Sequence, residues 1–170
     1  MKKTILCAAL FVAAQAQAHV TLEQTTAVAD SYQKLTFRVG HGCDGSPTKS
    51  ITVMLPEAVT GAKPMPKPGW KIRTVEGPLS VPVESHGRKI ATSVREVTWT
   101  GGPLEDAYFD EFTMQVKLPA EPGKQYFKIV QQCVKGSVAW DELPGEAGVK
   151  VKAPAPILNV LPAEGPVHQH

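Results

Sequence analysis

A chain of 170 residues with 42 % hydrophobic content has the size of one domain with a flexible end and enough apolar mass for a packed core. Its 18 basic and 16 acidic residues leave no excess for a nucleic-acid or membrane-surface partner, since both call for a basic patch or run. The sequence holds no phosphate loop, no glycine-rich dinucleotide fingerprint and no GxSxG elbow, so nucleotide-dependent and serine-hydrolase chemistry has no support.

Met1-Lys2-Lys3 forms a cationic head, Ile5 to Ala14 an uncharged apolar run, and Ala16-Gln17-Ala18 the small-x-small pattern that a signal peptidase cuts. The apolar run falls short of the ~20 residues a membrane span needs. Residues 1–18 are therefore expected to be a cleavable signal peptide, and the mature chain to be periplasmic, without a membrane span. Loss of Lys2 and Lys3 brings basic and acidic residues to equal numbers. Cleavage after Ala18 makes His19 the first residue, so that its α-amine and ring Nδ1 can close a chelate on one cation. Imidazole suits Cu, Zn and Ni, and Cu(II) leads the divalent first-row series at such nitrogen sites. The bland alternative is a histidine that falls beside a cut by chance.

Cys7 leaves with the signal, and Cys43 and Cys133 remain. In an exported protein an even pair reads first as a disulfide, here closing a loop of roughly 90 residues worth on the order of 4 kcal/mol. Two thiolate ligands for a soft metal are the competing reading, without CxxC or CxxxC spacing to favour it.

Past His19 the chain reads as short strands and turns. Val20 and Leu22 alternate with His19, Thr21 and Glu23, which share a side. Tyr32 to Val39 points Leu35, Phe37 and Val39 one way and Lys34, Thr36 and Arg38 the other. Gly40-His41-Gly42-Cys43-Asp44-Gly45-Ser46-Pro47 is the most specialised loop of the sequence, either a turn anchored by a disulfide or a source of ligands in His41 or Asp44. Ser50 to Leu55 is the next strand. Lys63 to Trp70, broken by three prolines, is expected to be extended and incompletely paired. Lys71 to Val75, Val81 to Glu84 and Arg95 to Trp99 read as separate strands, with turns at Gly77-Pro78, Ser85-His86-Gly87-Arg88 and Gly101-Gly102-Pro103. Asp110 to Leu118 alternates most strongly of all. Tyr126 to Cys133 reads as one strand covered on both faces, Gly136 to Asp141 as a short one, and Ile157 to Leu161 as a sheet edge. Many short strands with regular turn signals indicate an antiparallel sandwich. The end of the chain, residues 162–170, is expected to be a Pro/His tail whose His168 and His170 are a weak metal signal.

His19-Val20-Thr21 directly after a signal, Gly42-Cys43-Asp44-Gly45-Ser46-Pro47-Thr48, Lys67-Pro68-Gly69-Trp70 and Val138-Ala139-Trp140, in this order and spacing, resemble the YcnI-like family of exported copper-binding domains over residues 19–161. The resemblance implies an all-β, immunoglobulin- or fibronectin-like sandwich that holds one Cu(II) through a mature N-terminal histidine brace, with an acidic side chain and a tryptophan nearby, in copper homeostasis. Residue by residue, His19 matches the brace histidine and Trp140 the tryptophan beside the metal. Where the family carries a glutamate in the loop after its second strand, this chain has Cys43-Asp44, so Asp44 is the expected substitute, with Glu23 and His41 behind it. A Cys43–Cys133 disulfide would gather His41, Asp44 and Trp140. Amine, imidazole and carboxylate suit Cu(II), whereas Cu(I) prefers sulfur, and Met54, Met65 and Met114 are too few for a methionine-rich site.

Three functions follow. The first is a non-enzymatic Cu(II)-binding protein that buffers copper or delivers it to another periplasmic copper protein. The second is a copper mono-oxygenase-like enzyme, which would need a second histidine, His41 or His86, and a flat aromatic face. The third is a metal-free sandwich that mediates protein contacts.

Overall fold

Period-two alternation dominates the chain, and the computed structural model accordingly contains strands and, among the residues it describes (19–85, 87–143 and 151–163), no helix. The strands are β1 (Thr21–Leu22), β2 (Thr26–Val28), β3 (Tyr32–Val39), β4 (Thr48–Met54), β5 (Thr60–Pro64), β6 (Trp70–Ser85), β7 (Arg88–Leu104), β8 (Asp110–Lys117), β9 (Gly123–Tyr126), β10 (Lys128–Cys133), β11 (Ser137–Trp140) and β12 (Ile157–Leu161). They pair in three sheets, in the orders β1-β3-β8-β5, β11-β10-β4-β7-β6 and β2-β12-β9. All pairings are antiparallel except that of β2 with β12.

The inward rows of the first two sheets make the core. Leu35, Phe37 and Val39 of β3 and Phe112, Met114 and Val116 of β8 are buried in one cluster with Ile51, Val53, Val97, Trp99 and Ile129 from the second sheet. Phe37 meets Phe127 edge-on at 5.4 Å, and Phe112 receives Trp70 at 4.9 Å and Trp99 at 5.7 Å. Edge-on contact sets the positive rim of one ring against the negative face of the next, adding about 0.5–1.5 kcal/mol per pair to the area buried.

The structure corrects the reading of the sequence in four places. The three segments between Lys71 and Trp99 join into the long strands β6 and β7. Gly77 and Pro78 do not turn but pair with Ser93 and Thr92, between register shifts at Val75/Glu76 and Pro78/Val83. Proline is tolerated there because β6 is an edge strand with one open side. Gly101-Gly102-Pro103 likewise lies within β7; a Cβ on Gly101 would stand 2.2 Å from the Gly69 carbonyl oxygen, so glycine is what lets the two strands approach. Tyr126 to Cys133 is two strands, since the chain leaves the third sheet at Tyr126 and enters the second at Lys128. Ile157–Leu161 is the centre of the third sheet rather than an edge, flanked by β9 and by β2, a three-residue strand that the sequence pattern did not announce. The signal segment, His86, His168 and His170 lie outside the described residues.

Candidate metal centre

Strand register brings the candidate ligands to one end of the sandwich. Thr21 pairs with Arg38 and Leu22 with Phe37, and the same register continued to the start of the chain sets His19 beside Gly40 and thus next to His41. Val20 and Leu22 are buried, Thr21 and Glu23 exposed, as the alternation requires, and His19 is half-buried. From the second sheet, the β10–β11 hairpin pairs Ile129 with Trp140 and carries that indole, 4 % exposed, to the same place. The His19 ring centroid lies 5.7 Å from that of Trp140 and the His41 centroid 6.2 Å from it. Two imidazoles thus stand against one buried indole.

The His41 loop is held at several points. His41 Nδ1 lies against the Gly42 carbonyl oxygen, and because a carbonyl only accepts, Nδ1 carries the hydrogen. With Nδ1 as the donor, Nε2 is the ring nitrogen left to face a ligand, the arrangement by which ligating histidines are oriented. Gly42 donates its N–H to Asp106 Oδ1 at 2.8 Å. No other residue fits there, since a Cβ would sit 1.9 Å from the Ser46 carbonyl oxygen. Cys43 and Ser46 exchange backbone hydrogen bonds of 3.0 and 2.9 Å across a tip formed by Asp44 (φ 50°) and Gly45 (φ 79°), both in the left-handed region. Cys43 is bonded to Cys133, with S–S 2.07 Å, and both are buried. The expected disulfide is therefore present, and it removes both sulfurs as thiolate ligands.

Behind the loop lies a residue that sequence reasoning passed over. Gln131, fully buried, donates Nε2–H to the His41 carbonyl oxygen and to Thr48 Oγ1, both at 2.7 Å, and accepts the Trp140 indole N–H on Oε1 at 3.0 Å. A signal existed: Gln131 has the parity of Ile129 and Cys133, a polar residue in an inward row. Asp106, in an exposed turn far along the chain, offered none.

The other expected site residues stand further off. Asp44 is exposed and lines a shallow depression with Gly45, Ser46, Pro47, Val134 and Lys135, a set that includes neither histidine nor Trp140. Glu23 is exposed, accepts a hydrogen bond from the Gln24 side chain at 3.2 Å, and extends the β1 pairing through its own N–H to Thr36. Among the described residues no three side chains of His, Cys, Asp and Glu converge on a point suited to a metal.

Fold and site together define an immunoglobulin-like β-sandwich that gathers two histidines and a buried tryptophan at one end. The solved structure of an uncharacterized protein from Nocardia farcinica, described as revealing an immunoglobulin-like fold, is similar to it with a TM-score of 0.65 and 28 % identity, covering 84 % of this chain and 97 % of that one. A family model described as a domain of unknown function, DUF1775, matches residues 19–160, and the chain belongs to this family, the YcnI-like family that its motifs resemble. It is also 26 % identical over 163 residues to the copper-binding protein CutI of Bacillus subtilis (strain 168), covering 95 % of this chain and 71 % of that protein. No helix among the described residues is long and apolar enough to cross a membrane.

Proposed function

We propose that this is an exported, non-catalytic Cu(II)-binding protein that buffers copper or delivers it to another periplasmic copper protein, with residues 1–18 removed as a signal peptide. The observation that carries the reading is the placement of the His19 and His41 rings on one buried indole, at 5.7 and 6.2 Å. The name of the Bacillus relative supports copper as the metal, and the family match begins at His19, the residue that cleavage would expose. In this reading His19 contributes its α-amine and ring nitrogen and His41 its Nε2, while the carboxylate comes from Asp44 only if its turn, which now stands apart from the histidines, closes towards them on binding, with Glu23 as an outer neighbour. Nitrogen and carboxylate donors favour Cu(II) over the thiophilic Cu(I). Trp140 covers one side of the centre and keeps water from it.

The test is Cu(II) titration of the chain beginning at His19 beside a version with one extra N-terminal residue, followed by electron paramagnetic resonance. A one-to-one site that is lost or remodelled by the extra residue is the expected result. Equal binding by both would move the metal away from the amine, and no specific binding by either would leave a metal-free interaction module. Oxidative turnover of a polysaccharide by the loaded protein would favour the mono-oxygenase alternative.

A further inference from the structure

We infer that Gln131 is a positioning residue of this centre, its carboxamide fixing the His41 loop and Trp140 relative to each other; the inference rests on the copper reading above. Burying an amide costs free energy unless its hydrogen bonds are made, and the inward row of β10 calls for an apolar side chain at this position. Gln131 is 0 % exposed and is supplied with three partners. Their chemistry fixes its orientation. An indole N–H only donates, so Oε1 must face Trp140, and a backbone carbonyl only accepts, so Nε2 must face His41.

The three partners lie on three different elements: Trp140 on β11, Thr48 on β4 and His41 in the loop before it. The disulfide joins two of the same regions, since Cys43 follows His41 closely and Cys133 follows Gln131. A single covalent tether limits distance but leaves the loop free to rotate about it, whereas a planar amide with three directed bonds sets orientation as well. The fold does not demand such service for every buried indole, because Trp99 Nε1 is buried without a partner among the described residues. Pairing at Trp140 is thus a local provision of the end that holds the two histidines, and outer-shell hydrogen bonds of this kind orient metal ligands elsewhere in proteins.

The experiment uses the chain beginning at His19 and the variants Gln131→Met, which keeps the volume, and Gln131→Glu, which keeps an acceptor for Trp140 but sets a carboxylate oxygen against the His41 carbonyl. Circular dichroism confirms the fold, the Trp140 indole N–H resonance of the metal-free protein reports its pairing, and Cu(II) titration with paramagnetic resonance reports the centre. Both variants are expected to fold with lowered melting temperature, to shift the indole resonance, to lose about ten- to a hundred-fold in Cu(II) affinity and to change the copper spectrum. Acidifying Q131E protonates the new carboxyl, which can then donate to His41 and accept from Trp140. Its indole resonance is expected to return towards the wild-type position, while that of Q131M does not. Folded variants with wild-type affinity and spectrum would reduce Gln131 to a stabilising residue and overturn the inference. Absence of a one-to-one site in the unsubstituted chain would overturn the copper reading and this inference with it, and is distinguished because it appears before any substitution. Should Q131M not fold, Thr48→Val removes one acceptor of the amide at nearly constant volume, and the same changes are expected at smaller size; their absence overturns the inference equally.

Discussion

Trp99 and Trp140 are both buried, at 0 % and 4 % exposure, yet Trp140 donates its N–H to Gln131 at 3.0 Å while Trp99 Nε1 has no partner among the described residues. Trp99 lies in the middle of the sandwich, its ring 5.7 Å from Phe112. An unpaired buried donor costs about 1–3 kcal/mol, and the large apolar area of the ring offsets it, since an aromatic side chain buries about 150–250 Å². In the core, area outweighs direction. At the end that carries His19 and His41 the balance reverses: a polar side chain is buried for the sake of where it points, and glycine, disulfide and carboxylate hold the adjoining loop in one shape.

The contrast can be broken most strongly at the disulfide. Replacing Cys43 and Cys133 by serine opens a connection between residues 90 apart in sequence and is expected to cost about 4–5 kcal/mol in denaturant unfolding. Cu(II) affinity should fall with it, and the near-ultraviolet signal of the Trp70–Phe112–Trp99 cluster should persist in the folded state. A smaller effect sharpens the comparison directly. Trp140→Phe leaves Gln131 Oε1 without its donor and is expected to cost about 1–3 kcal/mol beyond the lost ring area. Trp99→Phe removes an unpaired donor, so its net cost should be lower by about 1 kcal/mol or more. Equal costs in parallel melts would show that the Gln131 bond contributes nothing.

The smallest expected effect lies in a third region, away from both indoles. The Ser80 backbone N–H, followed by its hydroxyl, holds the Glu57 carboxyl below its ordinary range, with Arg95 assisting and desolvation opposing. Ser80 donates to Glu57 Oε1 from N at 2.7 Å and from Oγ at 3.1 Å. A carboxyl whose folded value is depressed contributes stability that is present above its ordinary range and is lost as pH falls through the depressed value. Glu57→Gln should therefore lower the melting temperature slightly at neutral pH, and the difference from wild type should vanish in acid. A difference that persisted in acid would assign the effect to packing rather than charge.

Much of the architecture was legible because it is local. Tyr32–Val39 has the bounds that its alternation requires, Phe112, Met114 and Val116 are buried as their parity demands, and the cysteine pair is joined. The end that carries the two histidines was legible in part. His19, His41 and Trp140 are brought together, whereas the carboxylate remains where the sequence offers several candidates and no pattern to choose among them. Gln131 was readable as an anomaly of parity but not as a partner of His41 and Trp140.

By itself the sequence determined the all-β class, the faces of the long central strands and the two cysteines available for a bridge, because period-two alternation and residue chemistry act on neighbours along the chain. Only the tertiary structure decided that β9 and β10 enter different sheets, that Ile157–Leu161 sits at a sheet centre, and that Asp106 and Gln131 close around the His41 loop across separations of 64 and 90 residues. Those contacts follow from how faces pack and registers align, and no local periodicity specifies which distant strand a given residue will meet.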